Sequence, residues 1–314
     1  MFERLFLESG LSLDRLKTLV EVGACGGLSK AAGGDPVRQS QYSRQIKELQ
    51  EYFGVRLVER EGKGLRLTAR GRELARISRY FLLGLSSYQR GNRGIVESYR
   101  YGGSATAVAE VLMPGLARLK QDGRAVGFSA VTLEDQDVEH GLQELTLDFG
   151  LVSRAPVGRP LRSEAIGSWP LRIWVSNKLF ESAGPSVAPE VILRRQGVVW
   201  VLARELSEVL AGQVTGAGRV GEGASICPSF LAARTVLLHG ECATVLPAFL
   251  APPTGAAICI APGSGLIPED ARITYRLAWN PRLLRLNPGA DRVRTLLFRE
   301  LAQIWSANVA VESV

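Results

Sequence analysis

Hydrophobic positions follow two regimes along the chain. Up to about residue 89 they recur at three and four, the helical period, and beyond residue 95 short apolar runs alternate with helical patterns. Leu13 to Cys25 (LDRLKTLVEVGAC) places Leu13, Leu16, Leu19, Val20 and Val22 on one broad face and predicts a short helix, capped by Ser12 and ended by Gly26-Gly27. Leu28 to Ala32 predicts a second, stopped by Gly33-Gly34. Asp35-Pro36 then signals a new start, with Asp at the N-cap and Pro at the first helical position. Val37 to Gly54 (VRQSQYSRQIKELQEYFG) follows as one amphipathic helix, its apolar stripe made of Val37, Tyr42, Ile46, Leu49 and Phe53.

The opposite face of that helix carries Arg38, Gln39, Ser40, Gln41, Ser43, Arg44 and Lys47, with no carboxylate before Glu48. Long donors and small hydroxyls suit base edges and phosphates in a major groove, although a polar helix face is equally a solvated face. Two short helices and a tight turn, the second basic outside, form a helix-turn-helix. Gly54 ends it. Val55 to Val58 and Leu65 to Thr68 predict two strands around the basic turn Glu59 to Gly64, a wing with Arg60, Lys63 and Arg66 as phosphate contacts. Thr68 caps a helix over about Ala69 to Gln89, in which Leu74, Ile77, Phe81, Leu85 and Tyr88 make a coiled-coil-like seam. This seam is expected to be a dimer contact rather than part of the small domain's own core, presenting two recognition helices to a pseudo-palindromic site. Gly91-Asn92-Arg93-Gly94 is the linker.

Beyond it, strands are predicted at Val96–Tyr101, Ala125–Leu133 and Leu147–Val152, with helices at Ala107–Lys120 and Asp137–Leu145. That β-α-β-α-β series implies a parallel sheet, whose ligands bind beyond the carboxyl ends of the strands. The turn Gly102–Thr106 exposes backbone N–H groups, with hydroxyls from Ser104 and Thr106, and so suits an anion; the alternative is a plain strand-to-helix connection. It fits neither nucleotide-loop pattern. A second unit holds strands at Leu171–Ser176 and Val198–Leu202, helices at Glu205–Ala211 and Pro228–His239, and a strand and turn over Gly240–Pro247. The chain returns through an extended Ile273–Trp279 to a terminal helix, Arg292–Trp305. Two lobes are expected, with crossovers near Leu161–Trp169 and Leu266–Tyr275 and a small-molecule cleft between them. Gly212–Ser225 reads as an exposed loop.

Charge sharpens this picture. Residues 1–94 hold 17 Lys+Arg against 10 Asp+Glu and residues 95–314 hold 21 against 21, so the whole surplus of seven sits in the first third. An acidic polymer would be drawn to that end alone, and nucleic acid fits better than a membrane surface. With 46% hydrophobic and 22% charged residues, disorder and fibre are excluded, and no run approaches a bilayer span. The N-terminus carries Glu3, Arg4 and Glu8 and lacks a signal-peptide core, so a cytoplasmic location is expected. Cys25, Cys227, Cys242 and Cys259 lie too far apart for a zinc or disulfide framework and are expected to be buried, reduced thiols. No metal, cofactor or catalytic triad is implied by these or by His140 and His239.

The order of elements, and the run V-x-Q-S-x-Y-S-R-Q-I-K-E-L-Q-E-Y-F-G-V-R-L-V-E-R followed by G-x-x-L-T-x-x-G, resemble the N-terminal domain of LysR-type transcriptional regulators from about Leu13 to Gln89. The resemblance implies that Gln39, Ser40, Ser43 and Arg44 contact DNA, with Arg66 on the wing. Three departures are visible. Arg38 replaces the usual small capping hydroxyl, Ser40 stands where proline is common, and Gly33-Gly34-Asp35 replaces a helical turn, with Asp35-Pro36 moving the cap three residues back. Gly102-x-Ser104-x-Thr106, Leu147-Asp148, and Gly240 with Pro247 are similar to the family's effector domain, a two-lobed, periplasmic-binding-protein-like α/β fold. That implies Ser104, Thr106, Thr132, Ser153 and Gly240 as effector-binding residues.

The expected architecture is therefore an N-terminal winged helix-turn-helix (1–68), a linker helix and hinge (69–94), and an α/β effector domain (95–314). Lobe I takes 95–165 and 268–314, and lobe II takes 166–267. The expected function is a DNA-binding transcriptional regulator modulated by a small-molecule effector, anions among the candidates. Its expected partners are double-stranded DNA, a second copy of itself (a tetramer by resemblance) and RNA polymerase. The competing classes are an α/β enzyme, which no residue spacing supports, and a small-ligand-binding protein whose basic end serves another purpose.

Overall fold

A computed structural model describes residues 3–7, 9–61, 64–93, 97–121, 126–184, 187–193, 198–206, 224–260 and 267–309. The chain forms two compact units, residues 1–97 with 144–146 and 282–291, and residues 98–143 with 147–281 and 292–314.

In the first unit, α1 (Leu13–Ala24), α2 (Leu28–Ala31) and α3 (Pro36–Phe53) lead to β1 (Val58–Glu61), β2 (Gly64–Leu67) and α4 (Ala69–Arg93). Local chemistry sets the helix ends. Ser12 Oγ accepts the Arg15 amide at 3.3 Å, and Asp35 Oδ1 accepts the Val37 amide at 2.9 Å and the Arg38 amide at 3.4 Å. Gly54 closes α3 with φ 63, a left-handed conformation that glycine adopts without strain. Leu16, Leu19, Val22, Leu28, Ile46, Leu49, Leu57 and Leu67 make the core. Gln50 Oε1 accepts the amides of Leu57 (2.8 Å) and Val58 (3.2 Å), tying the end of α3 to the first wing strand. Gly71 lies beneath the Leu57 carbonyl, where a Cβ would come within 2.1 Å of the oxygen.

Several expectations are corrected here. Val37 is 76% exposed rather than part of the α3 stripe. Nine residues at about 100° each set it opposite Ile46 on the helix. Wing strand β1 begins at Val58, not Val55, so Glu59, Arg60 and Glu61 belong to the strand and Val55 to Leu57 lead into it. Helix α4 continues through Arg93, so Gly91, Asn92 and Arg93 are helical rather than linker, and Gly94 lies outside the described residues. Leu74, in the early turns of α4, packs with Leu82 and Ala75 on the core of its own unit and so leaves the seam. Ile77, Phe81, Leu85 and Tyr88 remain exposed.

The second unit is a mixed α/β fold. Its sheet runs in the order β10 (Ala257–Cys259), β6 (Arg162–Ser176), β11 (Arg272–Trp279), β5 (Phe149–Val152), β3 (Glu97–Gly103) and β4 (Val126–Thr132), with β9 (Ala243–Pro247) also on β6. Strands β3 and β5 are parallel, as the β-α-β pattern implies, while β11 runs antiparallel to both β5 and β6. The pair β7 (Val201–Ala203) and β8 (Ser225–Cys227) is parallel and joins β9 through a Trp200–Ala243 bridge. The first expected crossover lies within the 15-residue β6, and β11 pairs alongside it, so the connection between the lobes is a ribbon rather than a pair of loops. A register shift between Tyr275 and Arg276 bends this ribbon.

Helical details differ as well. Ala107–Leu112 is wound as a π-helix before α5 (Met113–Gln121), and α6 (Asp135–Gln143) begins and ends two residues early, leaving Leu145 at φ 53. Helices α7 (Asn177–Ala183) and α8 (Pro189–Leu193) were not anticipated. Helix α9 spans Phe230–His239, and α10 (Pro281–Leu286) and α11 (Pro288–Val309) close the chain. Ser225 begins β8, whereas residues 207–211 of the expected helix and 212–223 of the expected loop lie outside the described residues. So do Val96, Ala125 and Leu266. Cys25 and Cys259 are exposed, Cys227 is half-buried and only Cys242 is buried; all four are free thiols. The burial expectation fails for the first two because each follows an element's last turn or closes an edge strand.

Candidate nucleic-acid interface and effector site

The outer side of α3 places Arg38, Gln39, Ser40, Gln41, Ser43, Arg44 and Lys47 in solvent on one helix. Ile46 and Leu49 fix its inner side, so at about 100° per residue Gln39, Ser40, Ser43, Arg44 and Lys47 share one outward arc, whereas Arg38 and Gln41 turn toward α1. Arg44 and Lys47 reach Glu48 and Glu51 at 3.7 Å each, one turn away. Exposed pairs of this kind contribute about 0–1 kcal/mol, so either cation can exchange its partner for a phosphate. Glu48 is also held by Arg15 of α1. Arg38 lines a cleft of about 680 Å³ between α1 and α3, with Lys17, Glu21, Gln41, Tyr42 and Gln45. There the Tyr42 hydroxyl donates to Glu21 at 2.6 Å, which with burial raises the phenol pKa, while Arg38 pulls it down. Among the described residues Arg38 has no ion pair.

On the wing, Arg60 is exposed and Lys63 lies outside the described residues. Arg66 is bound to Glu59 at 2.9 Å and Glu61 at 2.5 Å. Its charge is thus compensated within the hairpin, which the sequence reading missed. The signal was present, since the pairing of β1 with β2 sets Glu59 directly opposite Arg66.

In the second unit a polar cluster gathers where strands end. Ser104 follows β3, and its Oγ accepts the Ala107 amide at 3.2 Å. Thr106 is fully buried and donates its hydroxyl to Glu205 Oε2 at 2.9 Å. The same Oε2 accepts the amide of Phe230, at the N-terminus of α9, at 2.9 Å. Glu205 is 5% exposed, and among the described residues its Oε1 has no hydrogen bond of good geometry. Burial raises the Glu205 pKa, while Ser104, Phe230 and Thr106 work the other way. Tyr275, at the bend of β11, is buried, and among the described residues its hydroxyl likewise lacks a hydrogen bond of good geometry. Desolvation, with the charge of Glu205, pushes its pKa well up, and Ser104 opposes that.

Of the five expected effector residues, Ser104 and Thr106 meet in this cluster. Ser153 flanks it through Asp135, whose Oδ2 accepts from Ser153 N (2.8 Å), Ser153 Oγ (2.9 Å) and Arg154 N (2.9 Å). Thr132 is exposed at the end of β4. Gly240 caps the far end of α9, about 15 Å along the helix from Phe230, and is not brought to the cluster. Glu205 and Tyr275 were not singled out from sequence. Glu205 follows the end of β7 by two residues, the position relative to a strand where Ser104 and Thr106 were sought.

Among the described residues no group of His, Cys, Asp and Glu could hold a metal, and no helix is long and apolar enough to cross a membrane.

Residues 13–72 match the family described as bacterial regulatory helix-turn-helix protein, lysR family, and residues 93–302 match the LysR substrate binding domain. Among curated relatives, HTH-type transcriptional regulator HdfR of Shigella boydii is 28% identical over 174 residues, covering 53% of this chain and 61% of its own. HdfR of Escherichia coli is 27% identical over the same shares. The chain thus spans less than two thirds of the curated relatives it matches. Two solved structures share the fold. A full-length OxyR variant from Pseudomonas aeruginosa has a TM-score of 0.65 at 14% identity, covering 94% of this chain and 95% of its own. Full-length LysG from Corynebacterium glutamicum, with bound effector Arg, has a TM-score of 0.56 at 16% identity, covering 89% and 98%. With its helix-turn-helix and its substrate-binding domain both matched, this chain belongs to the LysR family.

Proposed function

We propose that the protein is a DNA-binding transcriptional regulator whose activity is set by a small molecule bound between the two lobes of its second unit. The observation that carries the reading is the solvent-facing arc of α3, where Gln39, Ser40, Ser43, Arg44 and Lys47 fall within about 140° of one another on a winged helix-turn-helix, with Arg38 and Gln41 exposed beside the cleft with α1. Gln39, Ser40, Ser43 and Arg44 read bases or adjacent phosphates, Arg38 and Lys47 flank them, and Arg60, Lys63 and Arg66 approach the backbone from the wing. Arg66 does so only by giving up Glu59 and Glu61. Residues 1–68 act as the DNA-binding domain, 69–94 as the dimerisation helix and hinge, and 95–314 as the effector domain.

Ile77, Phe81, Leu85 and Tyr88 supply the contact with a second copy, and two such dimers assemble into a tetramer. That LysG, which shares this fold, is solved with a bound effector supports a ligand role for the second unit. The regulator works in the cytoplasm, where DNA and RNA polymerase are both within reach. The test is capture of fragmented genomic DNA by the full chain, followed by sequencing. Enrichment of a few pseudo-palindromic segments is expected, and uniform recovery of all fragments would count against a sequence-specific regulator. Arg38→Ala then assigns its role, since uniform loss over sites marks a phosphate contact and relaxed preference marks a base contact.

A further inference from the structure

The turn after β3 was expected to receive an anion, but the groups around it have the opposite sign. Glu205 lies in the helical turn after β7, nine-tenths buried, and accepts from Thr106 and the Phe230 amide on one oxygen, Oε2, while the Ser104 hydroxyl also favours its ionised form. Thr106 and the Phe230 amide hold the carboxylate in a single orientation, and Ser229 caps α9 through the Ala232 amide at 3.2 Å, fixing the helix start behind it. Among the described residues neither Oε1 nor the Tyr275 hydroxyl has a hydrogen bond of good geometry, and the Ser104 hydroxyl is the one polar group acting on both. Asp135, another buried carboxylate, whose charge acts on Tyr275, has its Oδ2 saturated by three donors from Ser153 and Arg154. The cation beside it, Arg154, is drawn toward Glu139 at 3.3 Å, and Arg204 is 61% exposed, 3.9 Å from Glu134. A desolvated carboxylate oxygen and a buried phenol that share one serine hydroxyl are under-satisfied, which is costly unless something arriving completes their hydrogen bonds.

From this we propose that the cleft takes a small organic cation, an amine or guanidinium compound, whose N–H groups donate to Glu205 Oε1 while Tyr275 Oη and Ser104 Oγ accept or orient its polar end. The inference rests on the reading of the second unit as an effector domain. An anion would meet the carboxylates of Glu205 and Asp135, neither of which is in an ion pair among the described residues. Because Thr106 and Ser104 come from one lobe, Glu205 and Phe230 from the other, and Tyr275 from the ribbon joining them, a cation there favours one lobe arrangement over the alternatives.

The test is isothermal titration of the full chain with L-arginine, agmatine and putrescine, with L-citrulline as the neutral analogue and L-glutamate and succinate as anions. At least one cation is expected to bind saturably. Glu205→Gln, which keeps the acceptor for Thr106 and Phe230, should weaken it about ten- to a hundredfold, the scale of a lost charged hydrogen bond. Tyr275→Phe should weaken it less, and thermal melts of both variants confirm folding. Three results overturn the proposal: none of the cations binds, the anions bind instead, or Glu205→Gln binds a cation as tightly as wild type. A cation that binds without altering DNA affinity would leave the proposal intact and sink the effector reading instead.

Discussion

Replacing Asp35 separates the cap of the recognition helix from its charge. The family resemblance would put the cap at the residue occupied here by Arg38, which cannot serve; the first turn of α3 is instead held by Asp35 Oδ1, which accepts the amides of Val37 and Arg38. Asp35→Ala removes both bonds and should cost about 1 kcal/mol, within the 0.5–2 kcal/mol found for N-caps. In a domain of this size that lowers the melting midpoint by roughly 4–8 °C. Asp35→Asn keeps the cap and should stay within a few tenths of a kcal/mol of wild type. The first turn carries Arg38, Gln39 and Ser40, so its fraying reduces specific DNA affinity by up to about fivefold. Removing a carboxylate near phosphates acts in the other direction and equally in both variants, and salt suppresses it. Differential scanning calorimetry and fluorescence anisotropy at two salt concentrations would read both effects. The reasoning fails if Asp35→Ala and Asp35→Asn melt together, or if they bind a selected site equally.

Other expectations concern packing, assembly and pH. Gly71→Ala would drive a Cβ to 2.1 Å from the Leu57 carbonyl and should destabilise the first unit by about 3 kcal/mol, whereas Gly84→Ala meets only Leu286 Cδ2 at 3.8 Å and should be neutral or stabilising; urea melts compare them. Ile77→Asp with Phe81→Asp should leave a folded monomer by sedimentation, because neither residue serves the core, and an intact dimer would remove the exposed face of α4 as the contact. Glu205 has a folded pKa raised by burial, so the native state holds that proton more tightly than the unfolded chain. Its ionisation therefore costs stability as pH rises from the usual carboxylate value through the raised one. Glu205→Gln should gain on wild type in thermal melts across that window and lose the advantage below it. A gap that does not change with pH would contradict this assignment.

What could be read from sequence divides along locality. Helix caps depend on neighbouring residues, so Ser12, Asp35 and Gly54 were legible, as were α3, the two-stranded wing and the parallel β3–β5 pair. Val37 and Leu74 went wrong because spacing alone shows that a position is apolar, not which surface lies beside it. Arg66 was counted as a free cation because its pairing with Glu59 arises across a hairpin whose register had been placed three residues early. Glu205 was invisible for a stronger reason: its partner Thr106 is 99 residues away in sequence, and only the fold joins two separate strand ends. The local hydroxyls at Ser104 and Thr106 suggested an anion, and a distant carboxylate changes the sign of the site.

The central claim, that the outer face of α3 reads DNA, is tested most directly by fluorescence anisotropy of the full chain on its captured site across a salt series, beside Ser43→Ala and Arg44→Ala. The account predicts that log affinity falls linearly with log salt, and that each substitution lowers the preference for the captured site over random DNA by about 1–3 kcal/mol. No binding at low salt, or an undiminished preference in both variants, would contradict it.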